Sequence, residues 1–429
     1  MFVKMDAYAK IMTMTVIRET VKTKPAAEKT AVKNERHILF LRMPKYSDRA
    51  IYFSMLILAV FGLLMIASAS MGLTVGKPNR LALIVIKQMV FLFGGYFMMT
   101  WLANVFTLDF LKTSSFPTWP IATMMALLSC LAFSPVGGAR AWIRVPISSV
   151  DISIQPSEFA KIMVILIVAA YCGDVKKRYP GKWDMVKRPL LFIGAYIGVV
   201  MILQSDLGSA VVIGFIAIFC LLIPAHPQMR PLQRIIVILL VIGVAGSLYV
   251  LSPYGETLIR HLPLREYQIN RILSSVDPFI DMYDTGYQLI SGLVSFATGG
   301  WTGLGFGNSV RKYTNFPAAN TDFILAIVVE ELGMIGFGLI FIPYMIIIIQ
   351  LFRYALRIQS EKGRIILVGT AIYLVIHCLF NIGGVTGLIP LTGVPLLMIS
   401  SGGSSTLAFM AAIGLAQSVI DQYRKGIIQ

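Results

Sequence analysis

Apolar residues along this chain come in long blocks separated by short polar interruptions. Ile51–Met71 runs for 21 residues without a charge, and Phe323–Leu351 is interrupted only by Glu330-Glu331. Blocks of about 20 residues match the hydrocarbon core of a bilayer, which is about 30 Å thick. A soluble protein with a large core would need amphipathic helices with charged faces, and the blocks lack them. The pattern predicts an all-α integral membrane protein with ten transmembrane helices: 51–71, 83–103, 119–134, 157–173, 189–203, 207–223, 235–251, 323–351, 366–383 and 404–420. The fifth and sixth are divided by Gln204-Ser205-Asp206-Leu207-Gly208, where a charge and a glycine suit a tight turn.

Composition agrees with the pattern. Only 14% of the 429 residues are charged, 57% are hydrophobic, and the mean hydropathy is +0.77. Soluble domains carry about a quarter charged residues. The net charge of +16 lies mostly in residues 1–50 and in short connections between spans. With the N-terminus inside, 26 of the 37 lysines and arginines fall on the cytoplasmic side, and the opposite orientation inverts that bias. Residues 1–50 are then a basic cytoplasmic tail, 51–421 the membrane domain and 422–429 a short cytoplasmic C-terminus. No basic face interleaved with stacking aromatics is present, so no nucleic-acid partner is expected. The four cysteines lie in or beside apolar runs and read as buried hydrophobes, and the four histidines are scattered and read as bland. No metal-ligand spacing stands out, so no metal site is expected.

This orientation leaves three polar features outside: Ser134–Pro156, a large external loop 252–322 between helices 7 and 8, and the uncharged connection Gly383–Gly403. A loop as long as the second is usually functional. Four constellations stand out. Gln155-Pro156-Ser157-Glu158 with Lys161 opens the fourth span, with Pro156 suited to a first helical turn and Glu158 and Lys161 on one face. That pair either lines a cavity or merely neutralises itself at the membrane edge. Arg140, Trp142 and Arg144 follow a Gly pair and suit either a phosphorylated headgroup or interfacial anchoring. Asp322 stands where the long loop meets the eighth span; a carboxylate at a dielectric boundary suits a general base. On residue chemistry alone, however, a helix N-cap at Asp322 or Thr321 is the stronger reading. Ser404 and Ser405 open the last span, where small residues present N–H groups to an anion or simply cap the helix.

Taken in order, these segments resemble the SEDS family of bacterial envelope proteins (shape, elongation, division, sporulation; RodA, FtsW and SpoVE). The resemblance runs from the first span nearly to the C-terminus. Its motifs are Gly-Ala-Arg-x-Trp at 138–142, Gln-Pro-Ser-Glu at 155–158 with Lys161, and Gln-x-Asp-Leu-Gly at 204–208. Gly-Tyr-Gln at 286–288, Thr-Asp-Phe at 321–323, Glu-Glu-Leu-Gly at 330–333 and Gly-Leu-Ile-Pro through Ser-x-Gly-Gly-Ser-Ser follow. Gly307-Asn308-Ser309 with Lys312-Tyr313 is nearer the FtsW and SpoVE pattern than that of RodA.

The resemblance implies a ten-span glycosyltransferase of the plasma membrane that polymerises lipid II into peptidoglycan and releases undecaprenyl pyrophosphate. It implies work at the division septum with a class B penicillin-binding protein and other division proteins as partners. It makes Asp322 the catalytic residue, overturning the cap, and makes Trp142, Glu158 and Lys161 residues of the substrate cavity. Arg140, Arg144, Ser404 and Ser405 join them as candidate substrate contacts, with a divalent cation such as Mg2+ as an optional helper. The rivals are a lipid II flippase and a non-enzymatic division scaffold. This chain departs from the family pattern at Ala141, where a second arginine is usual. It also has Pro317-Ala318-Ala319-Asn320 in place of Pro-Glu-x-His, so Asp322 lacks two customary neighbours.

Overall fold

A computed structural model describes residues 42–135, 138–147, 150–181, 183–250, 252, 255, 259, 269, 273–279, 282, 286–314 and 316–429. Most of the basic tail, residues 1–41, and most of the first part of the long loop therefore lie outside the described residues. Eleven helices are described: α1 (Arg49–Ser70), α2 (Pro78–Val105), α3 (Thr118–Ser129), α4 (Pro156–Cys172), α5 (Asp184–Gly198), α6 (Leu207–Leu221), α7 (Arg230–Val250), α8 (Tyr287–Gly299), α9 (Ile324–Arg357), α10 (Glu361–Val385) and α11 (Gly403–Arg424). Each apolar block expected from the sequence has become a helix. Seven stretches are long and apolar enough to cross a membrane, whereas α3 and α6 are shorter apolar helices. The charged first turn and 17-residue length of α4 set it apart from the long spans as well. The protein is a multi-pass membrane protein.

The chain starts and stops its helices by local chemistry. Asp48 Oδ1 accepts from the Ile51 amide at 3.0 Å to cap α1, Asp206 Oδ1 accepts from Ser209 at 3.0 Å to cap α6, and Pro156 sits in the first turn of α4. Between α5 and α6 a π-helical turn, Val199–Leu203, leads into the expected tight turn. The loop before α4 contains what helical periodicity could not reveal, a hairpin of β1 (Ile143–Ile147) and β2 (Val150–Ile154). Its strands are antiparallel, with Ile143 opposite Ile154.

The bundle is layered. α11 is almost wholly buried and packs along α2, while α4 contacts α6, α10, α5, α3 and α11. In contrast, α7 buries only Leu232 and Ile236. The long loop contains a helix of its own, α8, which packs on α9: Gly292 faces the Phe323 ring, and Gly299 approaches the Val329 carbonyl.

The eighth predicted span is not one straight rod. Its 34 residues bend at Gly333, whose φ is +62°. Ile324 to Glu331 are all buried in protein, whereas Met334, Ile335, Leu339 and Ile342 beyond the bend are exposed. At the bend the helix receives the glycine-rich loop that follows α8. Leu304 and Gly305 donate their amides to the Glu330 and Glu331 carbonyls at 2.9 Å each, and Met334 donates to Gly300 at 3.0 Å. The side chains complete the knot. Lys312 Nζ lies 2.8 Å from Glu331 Oε1, both side chains being 0% exposed. Ser68 of α1 donates to both Glu331 oxygens at 2.7 and 2.8 Å, the Gly307 amide donates to Oε2 at 3.0 Å, and Ser309 donates to Glu330 at 2.5 Å. A buried charge is tolerable only when paired and fully hydrogen-bonded, and Glu331 meets that condition from three segments at once.

Two predictions follow from the knot. Lys312→Met should strand the Glu331 carboxylate and cost about 3–5 kcal/mol, seen as a lowered thermal unfolding midpoint in detergent, and adding Glu331→Gln should restore much of it. A Cβ at Gly333 would meet the Trp301 carbonyl carbon at 2.3 Å, so Gly333→Ala should sharply reduce the yield of folded, monodisperse protein.

Candidate functional site

Most of the polar residues singled out in the sequence converge on one cavity of about 310 Å³. It lies where β2 runs into α4, where α6 begins, where α9 begins, and where the connection after α10 turns into α11. From the expected set, Trp142, Glu158, Lys161, Asp322, Ser404 and Ser405 all line it. Arg140 and Arg144 do not. Arg140 is exposed between the lining residues Ala139 and Ala141, its amide donating to the Gln204 carbonyl at 2.8 Å, and Arg144 is half-buried on β1 opposite Ser153.

On α4, Glu158 and Lys161 form the pair their spacing predicts. Lys161 Nζ is 2.7 Å from Glu158 Oε1, with side chains 1% and 2% exposed. The pair both neutralises itself and borders the cavity, so the two sequence readings were not alternatives. Glu158 Oε2 is buried with no hydrogen-bond partner among the described residues. Lys161 also lies 3.2 Å from His377 Nε2 on α10. The scattered histidine that read as bland is therefore buried against the site; only the fold brings positions 161 and 377 together.

The floor of the cavity is hydrogen-bonded to its walls. Gln155 donates its amide to Ser404 Oγ at 2.8 Å, and its side chain donates to Asp206 Oδ2 at 2.9 Å. Ser404 thus roots the hairpin to α11. It does not cap that helix as residue chemistry suggested: the N-cap position is Gly402, and Ser404 lies inside the first turn. Ser405 donates to the Gly402 carbonyl at 3.0 Å.

Asp322 is half-buried at the entrance to α9. The N-cap position there is Phe323, so neither Asp322 nor Thr321 occupies it. Both neighbouring carbonyls are gripped from the opposite wall: Asn381 Nδ2 donates to the Asp322 carbonyl at 2.8 Å, and Ser400 Oγ donates to that of Thr321 at 2.8 Å. The Ser401 amide adds a bond to Asn320 at 2.9 Å. Asn381 carried no sequence signal of its own, and Ser400 figured only as the first residue of the Ser-x-Gly-Gly-Ser-Ser motif; the backbone each one holds lies 59 and 79 positions away. In place of the family's Pro-Glu-x-His, Ala318 adopts φ +53° and its carbonyl receives the Thr321 and Phe323 amides at 3.0 and 3.1 Å. Gly393, at φ +69°, brings backbone close to the carboxylate; a Cβ there would lie 3.5 Å from Asp322 Oδ2.

Chemically, the cavity sets a half-buried carboxylate and a buried ammonium on walls of one enclosure, with small hydroxyls between. Among the described residues no three His, Cys, Asp or Glu side chains cluster closely enough to hold a metal ion.

A polytopic helical membrane protein with this cavity is a recognisable class. Residues 48–425 match the model of the FtsW, RodA and SpoVE family, described as cell cycle proteins, and the chain belongs to that family. It is 30% identical over 383 residues to "Probable peptidoglycan glycosyltransferase FtsW" of Bacillus subtilis, covering 88% of this chain and 91% of that protein. The protein of the same name from Coxiella burnetii is 32% identical over 377 residues, covering 86% and 94%. Among solved structures, a chain of a peptidoglycan synthase complex that couples polymerization and crosslinking superposes with a TM-score of 0.66 at 24% identity, covering 88% of this chain and 98% of that one. RodA of Thermus thermophilus superposes with a TM-score of 0.57 at 22% identity, covering 88% and 97%. These two likenesses establish the fold.

Gly393→Ala should cost about 1–2 kcal/mol from the left-handed backbone alone, since the space for a Cβ is adequate. Gly393→Asn, better suited to that conformation, should lower the thermal unfolding midpoint less.

Proposed function

We propose that this protein is a peptidoglycan glycosyltransferase that polymerises lipid II into glycan strands during cell division. One observation carries the reading: Asp322 and Lys161 border a single cavity, in a chain whose relatives bear that enzyme's name. The bundle has ten spans with both termini cytoplasmic, and the cavity opens to the outside, where lipid II presents its sugars. The basic residues of the short connections then stay inside.

The growing strand and an incoming lipid II meet in the cavity. Asp322 takes the proton from the 4-hydroxyl of the acceptor N-acetylglucosamine as that oxygen attacks C1 of the donor N-acetylmuramic acid. The new bond forms with inversion, and undecaprenyl pyrophosphate leaves with the bonding electrons. A single displacement needs a base and a stabilised leaving group, with no enzyme nucleophile. Lys161 meets the developing pyrophosphate charge from within the cavity, and Arg140 and Arg144, which lie outside the lining, are candidates for the same charge. Trp142, Glu158, Ser404 and Ser405 shape the substrate site. A divalent cation such as Mg2+ is a candidate for sharing that charge, and no step is assigned to it. The partner is a class B penicillin-binding protein, which crosslinks the strands, and the workplace is the septum.

Purified protein with its cognate partner and labelled lipid II tests this. Asp322→Ala and Asp322→Asn should each lose at least about 100-fold in polymer formed, the scale of a lost general base. Near wild-type polymer from either variant would remove Asp322 from that role. Headgroup translocation across vesicles with no polymer would instead favour a flippase.

A further inference from the structure

The α10 helix carries two buried polar side chains one turn apart, His377 and Asn381, with the Tyr373 ring packed against His377 at 4.8 Å. Both contact residues that line the cavity. His377 Nε2 lies 3.2 Å from Lys161 Nζ, and its Nδ1 lies 3.0 Å from the Pro395 carbonyl. Asn381 Nδ2 donates to the carbonyls of Asp322 and Val394 at 2.8 and 3.0 Å. One helix face thus holds the Lys161 ammonium, the Asp322 backbone and the intervening segment 392–395.

The hydrogen-bond chemistry of His377 is determined by its neighbours. A peptide carbonyl only accepts, so Nδ1 bears the proton facing Pro395. A second proton on Nε2 would point at the Lys161 ammonium, setting two cations 3.2 Å apart in a site where Glu158 supplies one negative charge. The ring is therefore neutral, protonated on Nδ1, and accepts from Lys161 through Nε2. Lys161 spends one N–H on Glu158 and one on His377, and its third is left for a group in the cavity.

We propose that His377 is a positioning residue: it fixes the direction of the Lys161 ammonium and ties it to the segment 392–395, so that the third N–H points at an anionic group of the substrate. The kinetic arm of this proposal rests on the glycosyltransferase reading, and the spectroscopic arm does not.

Lipid II polymerisation by the complex, with kcat and KM separated, provides the first test. His377→Gln retains an acceptor for Lys161 and a donor for Pro395, and should stay within about threefold of wild type. His377→Leu removes both and should lower kcat by about 10- to 100-fold, the usual scale for a residue that orients a functional group, with folded yield unchanged. In a Lys161→Met background, His377→Leu should cost no further activity, whereas a purely architectural role would still add its loss. Equal damage from Gln and Leu, full activity of His377→Leu, or additive losses would each overturn the proposal. The second test is 15N NMR of histidine-labelled protein in nanodiscs at pH 7. One imidazole should show the neutral Nδ1–H tautomer, disappear in His377→Gln and shift at Nε2 in Lys161→Met; an imidazolium or an Nε2–H ring at position 377 refutes it. Inactive wild-type protein showing the predicted tautomer and Lys161-dependent shift would overturn the glycosyltransferase reading and leave the positioning geometry standing.

Discussion

A buried ion pair between Lys312 and Glu331 fixes the geometry on which the site depends. Neither side chain is exposed, and neither charge can be left without its partner in a dry interior. Satisfying Glu331 recruits Ser68 from α1 and the Gly307 amide from the loop after α8. The loop is thereby pressed against the bend of α9, and its backbone pairs with carbonyls that Gly333 releases from the helix. Since Ile324 to Glu331 are held within the protein rather than facing lipid, the start of α9 becomes a fixed post. Asp322 stands on top of that post.

The opposing wall is organised by the same principle in neutral form. Asn381, Ser400 and Ser401 hydrogen-bond the backbone of residues 320–322, so the carboxylate projects from a main chain that has little freedom to shift. A catalytic group is effective when its supporting contacts hold it in a productive geometry before substrate arrives. Lys161 is held likewise, between Glu158 and His377. Under the proposed reading, the two charged groups of the cavity are both braced from behind by its walls.

Much of this was legible in the chain. Uncharged blocks of membrane length give the helices, because about 20 apolar residues as a helix cross the hydrocarbon with every backbone bond closed within the segment. The Glu158–Lys161 pair follows from three-residue spacing and a proline at the helix start. What escaped has a common cause. The β1–β2 hairpin occupies a polar loop where helical patterning is silent. His377 and Asn381 look like stray polar residues until α10 is set against α4 and α9, and Ser404 looks like a cap until its hydroxyl is seen receiving the Gln155 amide. Asp322 shows the limit most clearly: residue chemistry favoured a helix cap, family resemblance favoured catalysis, and the fold gives the cap position to Phe323.

The knot at the bend of α9 also bears on how the chain is made. Its members are far apart in the order of synthesis: Ser68 emerges early, Lys312 much later, and Glu331 last. Until Glu331 is translated, a lysine destined for a dry interior has no carboxylate to meet, so this region cannot settle before the first part of α9 has been made. Truncated reporter fusions ending between Lys312 and Glu331 would leave that lysine uncompensated, and topology maps built from them would be least dependable at the very segment that shapes the site.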